Sequence, residues 1–137
     1  MNRKLSREIA MKILFQNSIN DIPVSEILHE MDAYFDDINL DDLDMKYIEE
    51  ILTGVNNNIN TIDETIEKSS DNWKINRISK INLAILRISV FEILYYEEVP
   101  AKVSINEAIE LCRTYSDDKS VPFVNALLDR IYKSSIN

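Results

Sequence analysis

Ile78-Ser79-Lys80-Ile81-Asn82-Leu83-Ala84-Ile85-Leu86-Arg87-Ile88-Ser89-Val90-Phe91-Glu92-Ile93-Leu94 is the stretch on which the fold turns. Ile78, Ile81, Leu83, Ala84, Ile85, Leu86, Ile88, Val90, Phe91, Ile93 and Leu94 nearly surround a helical axis. A helix that is apolar on all sides is buried. This one is therefore expected to be the central core element, within a helical region over residues 73–96 that includes a short lead-in. Arg87 sits among these apolar neighbours, and a cation there needs a carboxylate partner. The pattern predicts a pair with an acid on another helix, with a ligand-binding role as the alternative.

The flanking segments are helical too. Leu5, Ile9, Ala10, Ile13 and Leu14 recur at helical spacing over residues 3–19, with Arg3, Lys4, Arg7 and Lys12 off the stripe. A second helix follows Pro23, a residue tolerated near a helix start. Its stripe is Ile27, Leu28, Met31, Tyr34 and Phe35, and an acidic loop over 36–42 closes it. A long third helix is predicted over 43–68 from Tyr47, Ile51, Val55, Ile59, Ile62 and Ile66. Gly54 lies inside it against helix propensity, which points to close packing on a neighbour. After Pro100, Ser104-Ile105-Asn106-Glu107 reads as a capping box opening a helix that runs to residue 115. A last helix is expected over 122–132. With one glycine and three prolines in 137 residues, the composition favours an all-α chain in a single domain, residues 1–137.

Composition also excludes function classes. One cysteine, Cys112, forms no internal disulfide and no multi-cysteine metal site. With no signal peptide recognised, the expected location is a reducing cytoplasm. No apolar run reaches the ~18 residues of a membrane span. The net charge is −9, but it is unevenly placed. Residues 21–71 hold 15 acids and 2 bases, a balance of −13, while the rest hold 9 acids and 13 bases, a balance of +4. The two ends of the chain can thus form a basic face.

Catalytic and metal motifs fail on inspection. Glu26-Ile27-Leu28-His29 has the Glu-x-x-His spacing of carboxylate-bridged metal bundles, which need a second such motif; His29 is the sole histidine. Asp37-Ile38-Asn39-Leu40-Asp41 begins like a calcium loop, but Asp42 replaces the sixth-position glycine and Ile48 the twelfth-position glutamate. A glycine-rich phosphate loop cannot be built from one glycine. No cofactor, metal or catalysis is expected. Two features remain. Arg3, Lys4 and Arg7 form a basic first turn, either a solvated face or an RNA contact. Phe123, near Lys119 at the start of the last helix, is either core or an exposed base-stacking ring.

Specific strings narrow the choice. Val99-Pro100-Ala101-Lys102-Val103-Ser104-Ile105-Asn106-Glu107-Ala108-Ile109-Glu110-Leu111 resembles the VP-x-KV-x-INEAIEL signature of the NusB family of transcription antitermination factors. Ser120-x-x-Phe123-Val124-Asn125-x-Leu127-Leu128-Asp129 resembles its S-x-x-FVNG-x-LD segment, with Ala126 where the family usually has glycine. Residues 84–92 resemble its AILR-x-x-x-YE helix, and Gly54-Val55 matches a GV in its long helix. Arg3-Lys4 with Arg7-Glu8-Ile9-Ala10 resembles its arginine-rich opening, with Leu5 and Ser6 in the middle. The resemblance implies a bundle of about seven helices. It implies binding to boxA-type single-stranded RNA of ribosomal RNA leader transcripts together with NusE, a small-subunit ribosomal protein, and action on elongating RNA polymerase. The residues so implied for RNA are Arg3, Lys4, Arg7, Lys119, Ser120 and Phe123, with Asn82 on the protein-partner surface. A helical interaction module without RNA binding is one alternative. A NusB-like domain of a ribosomal RNA methyltransferase is another, but it needs a further domain with a glycine-rich loop, and these 137 residues hold none.

Overall fold

The computed structural model describes residues 2–136. Among them are eight α-helices and two short 3-10 turns, with no strand beyond an isolated bridge between Asn2 and Leu43. Contacts group the chain into two compact units, Met1–Thr53 and Gly54–Asn137.

The first unit opens with α1 (Arg3–Asn20). The Asn2 side chain caps it by accepting from the Leu5 N–H at 2.9 Å, and Asp21 ends it in the left-handed region at φ 54°. Two short helices follow, α2 (Val24–His29) and α3 (Met31–Tyr34). They replace the single helix predicted after Pro23. Glu30 leaves helical geometry at φ −115°, ψ 34°, and its N–H is shared between the Glu26 and Ile27 carbonyls. A 3-10 turn (Leu40–Asp42) leads into α4 (Met45–Asn57). The Asn2 N–H donates to the Asp42 carbonyl at 2.8 Å, and the Asp44 N–H to Ser6 Oγ at 2.8 Å. These bonds fix the first turn of α1 against the start of α4.

The predicted long third helix is also broken, into α4 and α5 (Ile59–Ser69). At the break, Asn58 leaves helical geometry at φ −118°, ψ 20°, its N–H is shared between the Gly54 and Val55 carbonyls, and its side-chain Nδ2 also donates to the Gly54 carbonyl at 2.8 Å. In the second unit α6 (Lys80–Tyr95) packs against α5, α7 (Ala101–Tyr115) and α8 (Ser120–Ser135). Three helical neighbours explain why α6 is apolar nearly all round. Gly54 meets the ring of Phe91 on this helix so closely that a Cβ there would clash with the ring's outer edge.

The capping-box reading is corrected. α7 begins after Pro100, and Ser104 lies a turn inside it, 1% exposed. Its hydroxyl donates to Glu92 Oε1 at 2.9 Å and meets Ser89 Oγ at 2.8 Å. The serine satisfies a buried carboxylate on α6 instead of the helix end. Helix α8 likewise opens two residues before Pro122, which occupies the first turn, where its missing N–H has no helical partner to lose.

Candidate nucleic-acid interface

The predicted residues fall in both units. In the first, Arg3 reaches Asp44, with Nη2 3.2 Å from Oδ2, and its guanidinium carbon lies 4.4 Å from the centroid of the Tyr47 ring. Its side chain is 39% exposed. Lys4 is exposed. Arg7 corrects the sequence reading: it is off the apolar stripe in sequence but only 3% exposed, with its guanidinium 5.3 Å from the same ring. Tyr47 itself is buried. Both cations thus lie over the Tyr47 ring, Arg7 in a dry setting and Arg3 partly open to water. The basic turn is therefore partly a packing device.

In the second unit a cleft of about 400 Å³ is lined by Trp73, Arg77, Ser79, Asn82, Asp117, Lys119, Ser120 and Phe123, with Ile78. Three of the predicted residues, Lys119, Ser120 and Phe123, thus meet in one place. Phe123 is partly buried, and its ring packs on Trp73 at a centroid distance of 5.9 Å and a tilt of 45°. Asn82 is 7% exposed and donates through Nδ2 to Ser120 Oγ at 2.9 Å. It holds Ser120 from beneath. Behind it lies Cys112, fully buried, with Sγ 3.9 Å from Asn82 Oδ1. Burial pushes the Cys112 thiol up, so it stays protonated near neutral pH.

Asp117 sets the rim. Its Oδ1 accepts from the Ser120 N–H at 2.8 Å, satisfying one of the open donors at the start of α8. Hydrogen bonds from the Ser120 side chain and backbone hold its carboxyl below the usual aspartate range. Arg87 makes the expected interhelical pair: Nε and Nη2 donate to the two carboxylate oxygens of Asp63 on α5, at 3.0 and 2.8 Å. Each side chain is about one-fifth exposed (20% and 22%), so the pair is structural and bidentate.

A family model described as the NusB family matches residues 4–133. The chain belongs to the NusB family. It is 53% identical over 134 residues to "Transcription antitermination protein NusB" of Clostridium botulinum (strain Alaska E43 / Type E3), covering 97% of this chain and 99% of that protein. The protein of the same name in Clostridium perfringens (strain 13 / Type A) is 49% identical, with 98% of each covered. Among solved structures, NusB of T. maritima superposes with a TM-score of 0.82 at 31% identity, covering 97% of this chain and 92% of that one. A structure of antitermination factors NusB and NusE in complex with dsRNA superposes with a TM-score of 0.83 at 25% identity, covering 96% of each.

Within this NusB-family fold, sequence reasoning missed Trp73 and Arg77. Both precede α6 in what reads only as a lead-in, yet both line the cleft. The available signal was composition. Trp73-Lys74-Ile75-Asn76-Arg77-Ile78-Ser79-Lys80 carries the sole tryptophan, three cations and no acid, directly after the acidic half of the chain.

Proposed function

We propose that the protein is a non-catalytic transcription antitermination factor that binds boxA-type single-stranded RNA of ribosomal RNA leaders together with NusE and acts on elongating RNA polymerase. The observation that carries this is the cleft of the second unit: a partly exposed aromatic pair beside exposed Arg77 and Lys119, in a chain of the NusB family. Its curated relatives bear the antitermination name, and a structural neighbour was solved with NusE and RNA. Cations position phosphates, and flat rings stack on unpaired bases. In this reading Phe123 stacks, Lys119 and Ser120 meet the backbone, and Arg3 and Lys4 supply further phosphate contacts. Arg7 acts indirectly, by seating Tyr47 under Arg3. Asn82 contributes to a partner surface only through Ser120, since its own side chain is covered.

The test is a titration of labelled boxA-type RNA with this protein, with and without NusE, over a series of salt concentrations. Saturable binding strengthened by NusE, with log affinity falling linearly in log salt, is the expected result. Absence of RNA binding with NusE present would leave a protein-interaction module instead.

A further inference from the structure

We infer that Trp73 is a second base-stacking residue, so that an unpaired nucleobase seats on the Trp73–Phe123 pair while its phosphates lie against Arg77 and Lys119. The inference rests on the RNA-binding reading above and adds a residue to that site.

The first observation is exposure. Trp73 is 52% exposed, although a tryptophan gains more than most residues from burial. One side of the indole meets Phe123, and its outer part is left to solvent. It lines the 400 Å³ cleft and also a neighbouring hollow of about 150 Å³ bounded by Ala126 and Arg130. A ring that only completed the core would face one closed pocket.

The second observation is rigidity. Asp71 and Asn72 both adopt the left-handed region, at φ 57° and 66°, and reverse the chain after α5. The turn is braced from several sides. The Asn72 N–H donates to the Glu67 carbonyl at 2.9 Å, and the Ile75 N–H to Glu67 Oε2 at 2.9 Å. From α8, Arg130 Nη1 donates to the Ser69 carbonyl at 2.8 Å and lies 3.6 Å from Asp71 Oδ2. Backbone strain of this kind persists where the surroundings over-determine it. Here it fixes a large ring in a solvent-facing position before any ligand arrives.

The third observation is charge. The cations that line the cleft with the rings are Arg77 and Lys119, both exposed, in a chain whose net charge is −9. Asp117 is the one acid lining the cleft. Flat apolar faces with two exposed cations beside them match a ligand that is both planar and anionic, which describes a nucleotide of a single strand. An uncharged apolar peptide would not use the cations.

Trp73 is the sole tryptophan, so its emission reports on this site directly. The experiment titrates the full chain, with NusE, against single-stranded boxA-type RNA, following Trp73 emission and the anisotropy of labelled RNA in parallel. Should NusE carry tryptophan, the Trp73→Phe complex supplies the background. Stacking predicts saturable quenching with the same midpoint as the anisotropy change. Trp73→Ala should weaken binding roughly tenfold with an unchanged salt slope, and Trp73→Phe should lose less. RNA binding by anisotropy with no change in emission and no weakening by Trp73→Ala overturns the inference while leaving the RNA-binding reading intact. Equal quenching by a duplex of the same sequence also overturns it, because paired bases offer no free face. If Trp73→Ala fails to fold, the emission titration and Trp73→Phe still decide. No RNA binding by either probe removes the RNA-binding reading and this inference together.

Discussion

The first turn of α1 and the cleft at the start of α8 both carry cations beside aromatic rings, yet they use them differently. At the first turn the ring, Tyr47, is buried, Arg7 is buried with it, and Arg3 is tied to Asp44. At the cleft Trp73 is exposed, Phe123 is partly so, and Arg77 and Lys119 are exposed. A basic residue seen in sequence counts toward the net charge in either place. At the cleft both cations are exposed, whereas at the first turn Arg7 is buried. The same residue types are thus packed together at the first turn and left open to water at the cleft, where the proposed RNA would use them.

Substitutions can break this contrast. The largest effect is expected at Arg87, the cleft unit's own fold-committed cation. Arg87→Ala should lower unfolding free energy by about 3 kcal/mol in urea denaturation, the lower end for a buried pair because both partners are partly exposed. A loss under about 1 kcal/mol would mean that Asp63 is solvated well enough to stand alone. Next, Arg7→Ala should cost about 2 kcal/mol of stability through lost packing and ring contact. If that variant stays fully stable and loses RNA binding, the first turn is a recognition surface and the contrast fails.

Phe123→Ala should act on affinity instead, by roughly 1–3 kcal/mol, with near-normal thermal unfolding and an unchanged salt slope. Unfolding of this variant would show the ring to be core. Lys119→Gln should leave stability within about 0.5 kcal/mol and reduce the log–log salt slope for single-stranded RNA by about 0.7. The smallest effect concerns Asp117. Its carboxyl is held below the usual range, so its contribution to stability is present above the ordinary aspartate pKa. That contribution is lost as pH falls through the lowered folded value. Carboxyl titration followed by NMR should place Asp117 below the ordinary aspartate value, and Ser120→Ala should move it back toward that value.

Much of the fold was legible because burial leaves a periodic trace. The all-round apolar surface of α6 marked it as central, and it packs against three helices. Gly54 signalled a close approach and meets Phe91. The two helix breaks were not legible. Glu30 and Asn58 leave helical backbone angles without inserting enough residues to reset the apolar stripe, so periodicity runs straight through them. Ser104 misled for a related reason. The same residue types that cap a helix also satisfy a buried carboxylate, and only the neighbour decides which.

The sequence by itself determined that the chain is helical, that its core centres on the helical region over residues 73–96, that Arg87 needs an acid, and which family strings it carries. Tertiary structure alone decided that the acid is Asp63, that Arg7 is buried, that Asn82 lies beneath Ser120, and that Trp73 stands against Phe123. Periodicity records how a side chain divides between water and protein, because that choice repeats with every helical turn. The identity of a partner from a distant segment leaves no such repeat, since it depends on how the helices pack.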